Sequence, residues 1–151
     1  MTAANASSLS DGAAALVIMS EKKARELKLT PLATIVAQGE ASHAPEWYTT
    51  APPKAIMAAL QKAGLGLNDI NLFEINEAFA VVALAAIKEL GLDPARVNVN
   101  GGAVALGHPI GATGARLLTT LVHALKARHQ KRGVAALCNG GGEATAMVIE
   151  R

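Results

Sequence analysis

Val134-Ala135-Ala136-Leu137-Cys138-Asn139-Gly140-Gly141-Gly142-Glu143-Ala144-Thr145-Ala146-Met147-Val148-Ile149 reads as two apolar runs joined by a glycine link. Each run is long enough for a strand, and so short a link leaves no room for a crossover, so the two must pair antiparallel. Working back along the chain, Leu72–Ile75 and Ala33–Ala37 have strand composition, and Ala13–Met19 is apolar without alternation, as a strand covered on both faces has to be. Helices separate them. Ser20 offers an N-cap to Glu21–Leu27, and Pro52-Pro53 with Gly64 bracket a second helix. Ala78–Leu90 runs apolar on nearly every side to Gly91, which predicts a buried helix, and Arg116–Arg128 carries Leu117, Leu121 and Leu125 on one stripe. The alternation predicts a single α/β domain over residues 1–151: a five-stranded mixed sheet, its last strand antiparallel, with helices on both faces.

Composition narrows the function classes. Apolar residues make up 51% of the chain and aromatics 3%, which favours helices packed closely on a sheet over an aromatic-rich binding platform. A net charge of +2 with no basic stripe gives no electrostatic footprint for nucleic acid. The longest apolar run, Ala78–Ile87, is too short to span a bilayer, and residues 1–20 lack a secretory signal pattern. One cysteine makes no internal disulfide, and no zinc spacing is present, so no metal is expected and a reducing compartment fits: the cytoplasm or, in a eukaryote, the mitochondrial matrix or a peroxisome. Met1 runs at once into the small polar residues Thr2–Ser10, which reads as a chain begun in mid-fold.

The chemistry concentrates in two glycine words. The first is Val99-Asn100-Gly101-Gly102-Ala103-Val104-Ala105-Leu106-Gly107-His108-Pro109-Ile110-Gly111-Ala112-Thr113-Gly114-Ala115-Arg116; the second opens at Cys138. Gly107, Gly111 and Gly114 precede a helix whose N-terminal N–H groups attract anions, but both the dinucleotide fingerprint and the Gly-Lys-Ser/Thr of a P-loop are missing. Close backbone packing is the simpler reason for these glycines, and a nucleotide-dependent oxidoreductase is the weakest reading. His108, held between Gly107 and Pro109 before a helix, belongs to no core stripe. Cys138 at a strand end can be a small buried hydrophobe, or it can meet substrate beside exposed backbone N–H groups. Asn76 and Glu77 interrupt an apolar stretch at a strand-to-helix junction, where a helix cap is the ordinary explanation. His43, His123 and His129 carry no assigned chemistry, and Trp47 and Tyr48 read as loop packing.

These words resemble the C-terminal half of the thiolases. The resemblance rests on Asn76-Glu77-Ala78-Phe79-Ala80, on Asn100–Arg116 with Gly-His-Pro at its centre, on Cys138–Gly142, and on Asn5-Ala6-Ser7 with Asp11–Ala15. It implies an acyltransferase that joins two acyl-CoA units by Claisen condensation, or cleaves a 3-ketoacyl-CoA with CoA, through an acyl group on a reactive cysteine. By the same resemblance His108 activates that cysteine and points at the thioester oxygen, Asn76 holds a water in the same oxyanion hole, and Cys138 is the acid/base for the α proton. The N–H of Gly140 corresponds to part of the second oxyanion hole. Ser7, with Ala3 and Leu9, matches the loop that grips the pantetheine arm of CoA, and Phe79 matches a wall of its tunnel.

CoA thioesters enter as substrates, with no cofactor. The family's acyl-carrying cysteine lies in an N-terminal domain, so the expectation is a chain inactive alone that needs this partner domain and forms a homo-oligomer when complete. The apolar Ala78–Leu90 helix is expected at the domain interface. The alternative is a non-catalytic CoA-binding or scaffold domain.

Overall fold

The computed structural model describes residues 1–151. Besides four short 3-10 helices, five α-helices and four strands follow in order: α1 (Glu21–Glu26), β1 (Thr34–Ser42), α2 (Ala51–Ala63), β2 (Leu72–Ile75), α3 (Ala80–Leu90), α4 (Ala103–Leu106), α5 (Thr113–Ala127), β3 (Arg132–Cys138) and β4 (Glu143–Glu150). The sheet is mixed and has the strand order β1-β4-β3-β2. β4 runs antiparallel to both β1 and β3, and β2 runs parallel to β3. The glycine link closes the β3–β4 hairpin as expected, with Asn139 N donating to Glu143 O at 2.8 Å.

Strand alternation divides the core into two layers. Phe73 and Ile75 of β2, Val134 and Ala136 of β3, and Ala146 and Val148 of β4 face α2 and α3. Leu72, Ala135 and Ile149, one position out of phase, face Leu117, Leu121 and Leu125 of α5. Both faces are therefore covered, which is why Val134–Cys138 of β3 reads as a continuous apolar run. Ser20 caps α1 by accepting from Lys23 N, and Gly64 and Gly91 end α2 and α3. No helix is long and apolar enough to cross a membrane.

The sheet has four strands, not five. Ala13–Met19 forms no strand: no backbone hydrogen bond joins it to the rest of the chain, and Val17 is 89% exposed. An apolar run becomes a strand only where another strand offers its N–H and C=O groups, and the four-stranded ladder is complete without this one. β1 is longer than the expected Ala33–Ala37 because Gln38–Ser42, polar at the edge, continues to pair with β4 as far as Glu143. α3 buries Val82, Ala83 and Ala86 inside this chain and leaves Leu84 exposed, so the apolar helix is only partly available to a second domain.

Candidate active site

β2 and β3 are parallel neighbours, and their C-terminal ends deliver Asn76 and Cys138 to the same margin of the sheet, the margin where ligands gather in α/β folds. Asn76 extends the ladder by one step, donating its N–H to Ala136 O at 2.9 Å, and is wholly buried. Beyond β2, Asn98 clamps the outer edge. Its Oδ1 accepts from Ile75 N at 2.8 Å, while its Nδ2 donates to Ile75 O and to Glu77 Oε1, both at 2.9 Å. Glu77 Oε2 in turn accepts from Val104 N at 3.1 Å, in the first turn of α4.

Neither Asn76 nor Glu77 caps α3; its N-cap is Phe79, without a side-chain bond. Glu77 is a strut instead, tying the end of β2 to the helical turn before the His108 loop. Gly107 follows that turn with φ +92, and a Cβ there would run into Ser10 Oγ, so only glycine suits this close approach. Gly111 and Gly114 have no such neighbour, and close packing does not explain them.

His108 is held at three points. Its N–H donates to Ser8 O at 3.2 Å, Nδ1 lies 2.7 Å from Thr113 Oγ1, and Nε2 lies 3.3 Å from Asn76 Nδ2. Thr113 Oγ1 already donates its proton to Pro109 O at 2.9 Å, so it accepts from His108, which assigns the ring proton to Nδ1. Nε2 is then a lone pair facing the Asn76 amide. Burial, and then the nearby Arg116 charge, lower the His108 pKa and keep the ring neutral.

Cys138 is half-buried at the end of β3, packed against the larger core layer together with Phe79. Burial pushes its thiol above the ordinary 9.0, and a backbone hydrogen bond pulls the other way. Tyr48 meets Phe79 edge-on, with ring centroids 6.2 Å apart, and its hydroxyl pKa is raised by burial and then by the Cys138 charge. Ser7 laces the N-terminal loop to this end: its N–H and Oγ both donate to Ala78 O, and Ala6 pairs with Phe79. Gly140 sits exposed in the hairpin turn, and Ala3 and Leu9 are exposed as well, Leu9 at 95%. Asn76 and His108 are thus in direct contact, Cys138, Phe79 and Ser7 lie along the same margin, and Ala3 and Leu9 reach no partner within it.

The sequence reading missed Glu74, Thr113, Arg116 and Tyr48. Glu74, on the same face of β2 as Asn76, is 1% exposed, and its Oε2 lies 3.5 Å from Arg116 Nη1. A carboxylate in the otherwise apolar Leu72–Ile75, two positions before Asn76, was the available signal.

Residues 29–151 match the family model for the thiolase C-terminal domain. The chain belongs to the thiolase family. It is 56% identical over 151 residues to an acetyl-CoA acetyltransferase of Schizosaccharomyces pombe, covering all of this chain and 38% of that protein. Among solved thiolases, the Bacillus anthracis acetyl-CoA acetyltransferase superposes with a TM-score of 0.96 at 52% identity, and human mitochondrial 3-ketoacyl-CoA thiolase, in a complex with CoA, with 0.91 at 42%. Each comparison covers 99% of this chain and 38% of the solved one. This thiolase chain therefore spans a little over a third of the length of the relatives it matches.

Proposed function

We propose that this chain is the acid/base half of an acyl-CoA:acetyl-CoA C-acyltransferase, interconverting two acetyl-CoA with acetoacetyl-CoA and CoA, and that it works with an N-terminal thiolase domain carrying the acyl group. The observation that carries the reading is the His108–Asn76 contact, in which a neutral imidazole presents an unprotonated Nε2 beside an amide N–H. As the Asn76 N–H gives way, such a nitrogen takes a proton from a thiol and, once protonated, becomes a donor for a developing oxyanion. Cys138, whose thiol holds its proton tightly, suits an acid/base better than a standing thiolate nucleophile.

Cys138 first gives its proton to the CoA that departs when the acyl group is loaded; in the condensation the thiolate this leaves removes the α proton of acetyl-CoA, and the charge collects on the thioester oxygen against His108 and an Asn76-held water. The enolate carbon then attacks the acyl carbonyl, and the acyl-carrying cysteine leaves as thiolate. The Gly140 N–H serves the tetrahedral intermediate of that attack. Ser7, Ala3 and Leu9 meet the pantetheine arm, and Phe79 lines its path.

The test is CoA-dependent cleavage of acetoacetyl-CoA by this chain alone and after refolding with a thiolase N-terminal half, with Cys138→Ala as control. Activity in the mixture alone, lost in the variant, is the expected outcome. A folded, CoA-binding complex without turnover would leave a domain that only binds.

A further inference from the structure

Glu74 poses the question. A buried carboxylate is retained only where it is paired or hydrogen-bonded, yet neither Glu74 oxygen has a hydrogen-bond partner, and Arg116 Nη1 has none either. Opposite Glu74 on β3 stands Ala135. The charged groups that act on it are Arg116, from α5, and Glu77, just beyond β2. Glu74 and Arg116 form an ion pair at 3.5 Å without a hydrogen bond between them, so it is charge that holds the guanidinium beside Glu74, and the hydrogen bonds of Arg116 lie elsewhere.

The other end of the guanidinium supplies the explanation. Arg116 Nη2 donates to Asn76 Oδ1 at 3.3 Å. A guanidinium has no acceptor, so the amide must turn its carbonyl toward Arg116 and its NH₂ toward His108. That NH₂ has no acceptor either, so it pairs only with an unprotonated Nε2. Two donor-only groups in series thus impose one tautomer on His108, and Thr113 agrees from the opposite side of the ring.

We propose that Glu74 and Arg116 are a positioning pair: Glu74 tethers the guanidinium, the guanidinium fixes the Asn76 amide, and the amide holds the His108 proton on Nδ1. Without Arg116 the amide can turn over and offer Oδ1 to the ring, which favours a proton on Nε2 and removes the base. Without Glu74 the Arg116 side chain, 19% exposed, loses the anion that keeps it inward and turns toward solvent. The inference builds on the thiolase reading only in calling Nε2 the working nitrogen; the tautomer itself is independent of turnover.

The experiment reads histidine tautomers by long-range ¹H–¹⁵N correlation in the labelled 151-residue chain at pH 8, with His108 assigned by its loss in His108→Asn. The wild-type chain is expected to show His108 as Nδ1–H alone. Glu74→Gln and Arg116→Met are each expected to give a mixture of both tautomers while their amide spectra remain native. A wild-type Nε2–H signal overturns the proposal, and so does an unchanged Nδ1–H signal in folded variants, since Thr113 would then suffice. Should Glu74→Gln fail to fold, Arg116→Met carries the decision. A chain with the expected tautomers but no turnover when completed with its N-terminal half would remove the thiolase reading and leave the pair standing; turnover with unchanged tautomers would do the reverse.

Discussion

The carboxylate of Glu77 occupies the space that a side chain at Gly102 would need. Glu77 reaches that space because its two oxygens are held by Asn98 Nδ2 and Val104 N, so the glycine and the acid form one joint between the end of β2 and the His108 loop. Gly102→Ala displaces the carboxylate from one or both donors. The expected loss is about 2 kcal/mol, since a hydrogen bond to a charged group contributes about 1.5–3 kcal/mol. Urea unfolding of Gly102→Ala, Glu77→Ala and the double variant checks this. The double variant should be less destabilised than the sum of the singles, because both remove the same contact. Strict additivity would show that the joint does not exist.

Burial pushes the Glu74 carboxyl up to about 7 from an ordinary 4.5, with Arg116 pulling it down and Glu77 adding to the rise. A carboxyl whose folded pKa lies above its unfolded one stabilises the fold most below 4.5, and that contribution is lost as pH rises through 7. Glu74→Gln cannot titrate. The stability of the wild-type chain relative to Glu74→Gln should therefore fall between about pH 5 and 8, by up to about 3 kcal/mol, and then level off. Denaturant titrations of both chains across that window give the slope; a flat or rising difference would contradict the assignment.

Much of this site is legible in the order of the residues. The hairpin, β2, and the caps at Ser20, Gly64 and Gly91 are local matters of spacing and turn chemistry, and they stand where the residues place them. The strand expected at Ala13–Met19 does not form, because apolarity records that a segment wants cover and says nothing of which strand supplies the ladder. Asn76 and His108, 32 residues apart, meet only through tertiary packing, and their pairing was available from resemblance alone. Glu77 went unrecognised as a strut because a cap is the commoner use of an acid beside a helix. Glu74 and Arg116 went unread because an isolated charge in a short run has no period, and its partner lies on a distant helix.

Cys138 should react slowly with alkylating agents. The thiolate is the attacking species, and burial holds this thiol above 9.0 against the pull of its backbone hydrogen bond. Iodoacetamide at pH 7.5 is expected to label Cys138 more slowly than free cysteine, with the rate still rising above pH 9. Labelling as fast as free cysteine would mean an activated thiolate, and with it a nucleophile in place of an acid/base.

Thr113 bears on His108 most directly. It is wholly buried, and its hydroxyl both donates to Pro109 O and accepts from His108 Nδ1. Thr113→Val keeps the volume and removes both bonds, leaving the Nδ1–H without its partner and the imidazole free to turn. Losing one such bond from the working geometry costs about 1–1.5 kcal/mol, which in a rate is about tenfold. In the assembly completed with an N-terminal half, Thr113→Val should lower kcat for acetoacetyl-CoA cleavage by about that factor and leave KM near its wild-type value, since Thr113 is buried behind the ring. Thr113→Ser restores the hydroxyl and should restore most of the rate. An equal loss in Thr113→Ser would trace the defect to packing at the start of α5 and take the hydroxyl out of the argument.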